Sequence, residues 1–429
     1  MLAVRPEPHT SICQLPNGVR VIAIALPWLD SVSLSVFVRA GSQHENARAN
    51  GISHVVEHMA FKGTETRDCQ RINLDAERLG GEVNAHTDKD HTAFHIHGLA
   101  EHAVPFLHML ADIVRHSNFP EAELERERQV ILQEFAEDED DPLSTAYKLF
   151  DRNCFGRHPL AQPVIGTQAN IRRFTRDELL AYVGQHYTGA NVVVAVAGRI
   201  DPETLQHEAE KAFGTMRAGP VNAVAPPDWR GGLRERRQAG SSQSHVVLGF
   251  PLPSLAADDP AGELAAAVFG EGMSSPLLDE LRERRGLVYH ASCSADVLPA
   301  AGQFVVEASM APEHLDPFLD AVGTLLLDHA ERIDAIALER ARNQLAVRSL
   351  RTQERPFRRL EEAVQQLCVQ GRVRSRAEQL ERLQALGTAE VGSAFRRLLA
   401  EPPALAIVGK LKPGAGERFV QRLATARGA

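Results

Sequence analysis

No stretch of about 18 consecutive apolar residues occurs in this 429-residue chain, so no membrane-spanning helix is expected. Met1 to Pro8 holds no apolar h-region, so no secretory leader is expected there. Cysteine is sparse: Cys13, Cys69, Cys154, Cys293 and Cys368 are scattered, odd in number and never spaced C-x-x-C. That argues against a disulfide framework and a cysteine zinc site, and favours buried free thiols in a reducing compartment. Positive charge is in short supply too. Lys and Arg number 47 against 56 Asp and Glu, for a formal net charge of −9. A nucleic-acid binder would show a basic face, so that class is set aside. Only six of the 47 cationic residues are lysine, a bias that leans towards a GC-rich bacterial genome. The expected compartment is the bacterial cytoplasm, with the periplasm left open should a leader have been removed. No G-x-S-x-G occurs, which argues against a serine hydrolase elbow.

What is present is enough apolar material, 44% of residues, for more than one core, in a chain too long for one typical domain. The pattern replays itself. Residues 18–40 alternate apolar and polar positions as strands do, and a helix follows. Strands are predicted at 82–87 and 91–98, with helices at about 101–116 and 121–138, a strand at 191–198 and a helix at 202–213. Residues 220–243 are rich in Pro, Gly, Ser and Gln and read as a linker. Beyond it, strands at 244–250 and 404–409 and a helix at about 258–269 echo the first half. The expected organisation is a domain over 1–219, the linker 220–243, and a homologous domain over 244–429. Strands and helices that do not strictly alternate give an α+β class, each half a mostly antiparallel sheet with helices on one face.

The most informative stretch is His54-Val55-Val56-Glu57-His58. Two histidines four apart share one face of a helix, one turn apart, so both imidazoles can reach one ion. Two His and one carboxylate leave a tetrahedral zinc site with a fourth position for water. A glutamate beside that water can take its proton, as metal-assisted hydrolysis requires. H-x-x-E-H is the inverted order of H-E-x-x-H. Ile52, Val55, Val56, Met59 and Phe61 surround the polar trio, which points to a largely buried helix whose His and Glu need partners. A Glu-rich helix downstream carries Glu127 and Glu134, seven apart and so two turns along one face.

HVVEH followed by Met59-Ala60-Phe61-Lys62-Gly63-Thr64, and then by E-R-x-V-I-x-x-E over 127–134, resembles the M16 metallopeptidases, the pitrilysin, insulysin and mitochondrial processing peptidase family. In the second half, Arg282 and Gly286-Leu287-Val288-Tyr289 resemble the family's Arg and Gly-Leu-x-Tyr motif. The likeness runs over nearly the whole chain and implies the LuxS and processing-peptidase type of fold. It implies that His54, His58 and Glu134 bind one Zn2+ per chain and that Glu57 is the general base. Glu127 would orient a ligating histidine. Asn84 and Ala85 match the family's edge strand, which would take the peptide substrate as an added β-strand. Arg282 and Tyr289 would hold the substrate carbonyl or the oxyanion.

The resulting expectation is a zinc endopeptidase acting on unstructured peptides within a dimer chamber. The partner would be a second copy, or a related chain in a heterodimer. Two alternatives stay open: a processing peptidase dedicated to one substrate, and a non-catalytic scaffold subunit. Histidines 86, 91, 95, 97 and 102 cluster near a hairpin without a matching acidic ligand, so a second metal is not expected.

Overall fold

A computed structural model describes residues 8–428; Met1 to Glu7, most of the segment expected to lack a leader, lie outside the described residues. Among the described residues no helix is long and apolar enough to cross a membrane.

The chain forms two compact units. The first holds residues up to Phe135, then Gln162–Val224 and Thr352–Val373. Its strands are β1 (His9–Gln14), β2 (Arg20–Ala25), β3 (Ser31–Val38), β4 (Glu82–Thr87), β5 (Thr92–Leu99) and β6 (Val192–Gly198). They make one sheet in the order β1-β2-β6-β3-β5-β4, antiparallel throughout except where β2 runs parallel to β6. β4 is therefore an edge strand. Every residue of β6 is buried, so both faces of the sheet must be covered. Val192, Val194 and Val196 join a core with helices Ile52–Ala60 and Ala103–His116. Val193, Ala195 and Ala197 on the opposite face pack with Leu360, Ala363, Val364 and Leu367 of helix Pro356–Gln370. Fully buried rings such as Phe94 and Phe106 each contribute about 2 kcal/mol through burial.

The second unit holds Ala136–Ala161, Ala225–Arg351 and the chain from Arg374 onward. Its strands are β7 (Gly232–Arg237), β8 (Ser244–Leu252), β9 (Ala291–Val297), β10 (Gly302–Met310) and β11 (Ala404–Gly409), in the order β7-β11-β8-β10-β9. Only the β7–β11 pair is parallel. One face packs Leu405 and Ile407 against Phe269, Phe304 and Phe395. The other packs Ala404, Ala406 and Val408 against Ala146, Phe150 and Cys154 of helix Pro142–Phe155.

The α+β class and the two homologous sheets match the sequence reading, and the structure adds detail. The sequence suggests helices on one face of each sheet; a single helix also covers part of the second face. That helix comes from the other half of the sequence in both units, so neither unit is the contiguous segment 1–219 or 244–429. The cause is the apolar character of β6 and β11, which would otherwise leave one face wet. The linker 220–243 also contains a strand. β7 runs beside β11, and its Arg-Glu-Arg-Arg stretch is exposed along the sheet edge, where charge discourages further pairing.

Candidate metal centre

Helix Ile52–Ala60 exists because Ile52, Val55, Val56 and Met59 recur at helical spacing and are all buried. That register turns His54 and His58 to the opposite face, one turn apart. Helix Glu121–Asp140 starts with acids in its first turn and seats Leu124, Glu127 and Ile131 in the core. The Arg128 guanidinium fastens it by donating to the carbonyls of Ile171 and Phe174.

The two helices bring His54, His58 and Glu134 together. One ligand atom from each lies within 4.8 Å of the others, the one such group among the described residues. Glu134 Oε2 stands 3.4 Å from His58 Nε2 and 3.8 Å from His54 Nε2. The two rings meet edge to face with centroids 4.6 Å apart. Burial, and then the neighbouring His58, push the His54 pKa down to about 4, so its ring is neutral at pH 7 and can offer a lone pair. His54 Nδ1 is buried with no hydrogen-bond partner among the described residues. A neutral, desolvated imidazole without hydrogen bonds, beside a second imidazole and a carboxylate, is a donor set lacking an acceptor. The residues fit a divalent ion of the zinc type, which takes nitrogen and oxygen donors in a tetrahedron.

Glu57 projects beside this group. Burial raises its pKa, opposed by a hydrogen bond of 2.7 Å that the Thr87 hydroxyl donates to Oε2. Glu127, 8 % exposed, accepts from His58 Nδ1 at 3.1 Å through Oε2. Its other oxygen pairs with Lys62 Nζ at 2.7 Å. Sequence reasoning placed Glu127 near a histidine but gave no role to Lys62 or Thr87. Lys62 stands in the quoted M-A-F-K-G-T run. Thr87 closes β4 and, by strand alternation, shares a face with Val83 and Ala85.

Asn84 and Ala85 lie on the edge strand β4, opposite His95 and Phe94 of β5. The Ala85 amide donates to the Asn84 side chain at 2.8 Å. Arg282 and Tyr289 belong to the second unit. Arg282 lies in a π-helical turn, Asp279–Arg284, and its guanidinium carbon is 5.2 Å from the centre of the Tyr289 ring. Tyr289 is 85 % exposed, an unusual state for a large aromatic residue. Of the clustered histidines, His86, His95 and His97 pack on Phe357, whose ring centroid is 4.5 Å from that of His95, while His91 packs on Phe37 and His102 on Phe106.

Two homologous α+β halves with a two-histidine, one-carboxylate donor set and an adjacent glutamate define a metal-dependent hydrolase class. The comparisons with known proteins narrow it. Residues 20–168 match the profile of the insulinase family, peptidase family M16, and residues 173–345 match that of the peptidase M16 inactive domain. A Rickettsia bellii protein named as an uncharacterized zinc protease is 31% identical over 401 residues, 93% of this chain and 97% of that one. A Bacillus subtilis protein with the same description is 30% identical over 399 residues, 92% of this chain and 97% of that one. Two crystal structures share the fold at a TM-score of 0.85, each covering 94% of this chain and 100% of the other. They are a peptidase M16 inactive domain from Pseudomonas fluorescens, 21% identical, and a protease from Helicobacter pylori, 20% identical. The chain belongs to peptidase family M16, and by family and donor set it is a two-domain zinc peptidase.

Proposed function

We propose that the chain is an endopeptidase that hydrolyses unstructured peptides, with zinc held by His54, His58 and Glu134 and with Glu57 as general base. One observation carries this reading: three ligand atoms converge within 4.8 Å and Glu57 stands beside them, held by Thr87. Zinc, when bound, would polarise the attacking water and the scissile carbonyl. Glu57 takes the proton of that water, and the burial that raises its pKa makes it a stronger base than an exposed glutamate. Glu127 accepts from His58 Nδ1, which fixes the ring and leaves Nε2 free to ligate. Lys62 pairs with the other oxygen of Glu127 and holds the carboxylate in place for that task.

The free edge of β4 at Asn84 and Ala85 suits an extended peptide backbone, which restricts substrates to chains without their own structure. The exposed Arg282 and Tyr289 pair would hold a substrate carbonyl or oxyanion. One gene furnishes both sets, which favours a homodimer with two equivalent sites over a heterodimer; sedimentation of purified protein reads this directly. Five free thiols suit the bacterial cytoplasm.

The test is elemental analysis paired with cleavage of an unstructured peptide library, with and without chelator. The expected result is about one zinc per chain and cleavage that the chelator abolishes and zinc restores. Cleavage at one strict motif would make this a dedicated processing enzyme. Metal content near zero with no cleavage would make it a scaffold subunit and overturn the proposal.

A further inference from the structure

The helix that carries both imidazoles begins without a cap of its own. Its N-cap is Gly51, which has no side chain to accept from the first-turn amides. Nothing larger fits: φ is +98°, and a Cβ would come within 2.8 Å of Gly166 Cα. The missing acceptor arrives from six residues upstream. Glu45, 2 % exposed, accepts from the Gly51 amide at 2.7 Å through Oε2 and from the Ser53 amide at 2.8 Å through Oε1. Asn50 Nδ2 gives Glu45 a third hydrogen bond at 3.1 Å and donates to the Pro163 carbonyl at 2.9 Å. Gln162 Nε2 donates to the Glu45 carbonyl at 2.8 Å, and Asn170 Nδ2 holds the Ala47 and Asn50 carbonyls at 3.0 Å each.

A carboxylate this buried is costly unless it is paired. Burial raises the Glu45 pKa, and the hydrogen bonds from Ser53, Gly51 and Asn50 oppose that rise, with the positive end of the helix adding a favourable field. The grip sits at Ser53, the residue before His54. It sets both where the helix starts and how it is rotated, and so how His54 and His58 face Glu134.

We propose that Glu45 is a positioning residue for the metal ligands, clamping the start of their helix so that the donor set is assembled before zinc arrives. This rests on the reading that His54, His58 and Glu134 hold zinc. Glu45→Gln keeps the shape but replaces one acceptor oxygen with an N–H group facing amides. Zinc affinity is measured by chelator competition on the folded protein, alongside thermal melting and steady-state kinetics. The expected result is a zinc dissociation constant raised about tenfold or more, a lower kcat and an unchanged KM. Phe213→Leu, a core change in helix Pro202–Phe213, serves as control and should lower the melting temperature without moving zinc affinity. Zinc affinity and kcat within twofold of wild type in Glu45→Gln would overturn the proposal. So would an equal loss of zinc affinity in the control. Should Glu45→Gln not fold, Asn50→Ser removes one of the three bonds and must still weaken zinc threefold or more; no change there overturns it. If wild type binds zinc yet cleaves no peptide, the peptidase reading fails while the comparison of dissociation constants stands.

Discussion

Helix Glu121–Asp140 in the first half and helix Ala335–Glu354 in the second both run 20 residues, and each follows a helix that follows β5 or β10. Counted from the helix start, Glu127 and Glu134 correspond to Ala341 and Arg348. Ala341 is fully buried, with no group to orient a ligand. Arg348 pairs with Glu263 at 2.6 Å and Glu271 at 3.2 Å. Glu263 belongs to helix Ala261–Gly270, which holds the place of the HVVEH helix in chain order and contains no histidine. One scaffold thus serves two ends. In the first half, opposing helices present donors that do not satisfy each other. In the second, an arginine pairs with the facing acids, and no comparable donor group occurs there among the described residues. The metal site is a handful of residues on a frame that the second half repeats without them.

Breaking the first half alone should have the largest effect. Glu57→Gln is expected to lower kcat about a thousandfold with zinc content unchanged, read by kinetics and elemental analysis. A wild-type rate would remove Glu57 as the base.

Acid should come next. The folded-state pKa of His54 is about 4, below the unfolded value of about 6.5. Its neutral form is therefore favoured by folding. The contribution is present above pH 6.5 and is lost as pH falls towards 4, by up to about 3 kcal/mol. Denaturation of metal-free wild type and His54→Gln across this window should show the difference narrowing, and a flat difference would contradict the burial of His54.

Glu127→Gln should raise the zinc dissociation constant about 10- to 100-fold, as losing an oriented histidine partner does elsewhere. Chelator competition reads it, and an unchanged constant would reduce Glu127 to a structural acid. Arg348→Ala is the smallest change. Its ion pairs are half-exposed, so unfolding free energy should fall by less than about 1 kcal/mol with zinc content untouched. A larger loss of zinc would show that the two halves are not chemically independent.

Much of the site was legible because its signals are local. HVVEH spaces its histidines by one helical turn, and Glu127 and Glu134 repeat by two, so face and chemistry followed from counting. Helix 202–213 and strand 404–409 were found at the bounds the structure has. Lys62, Thr87 and Glu45 were invisible for a different reason. Each acts through a contact that depends on the fold: Lys62 reaches a helix far along the chain, Thr87 meets Glu57 across a sheet-to-helix gap, and Glu45 caps a helix that starts seven residues later. β7 was lost because RERR carries no apolar alternation; its partner β11 supplies the pairing that its own sequence does not announce. The acidic run Glu137 to Asp141 reads as a solvated helix end. In the fold, Glu139 holds Lys148 at 2.6 Å, and Asp141 caps the next helix by accepting from the Leu143 and Ser144 amides.

The traded helices, Pro142–Phe155 and Pro356–Gln370, have a consequence for how the molecule comes into being. During synthesis the amino-terminal sheet emerges long before the segment that will shelter its bare side. It must wait until β7 to β10 have also been made. A product truncated before Pro356 would carry His54, His58 and Glu134 on their two helices while the far face of the sheet behind them stayed open to water.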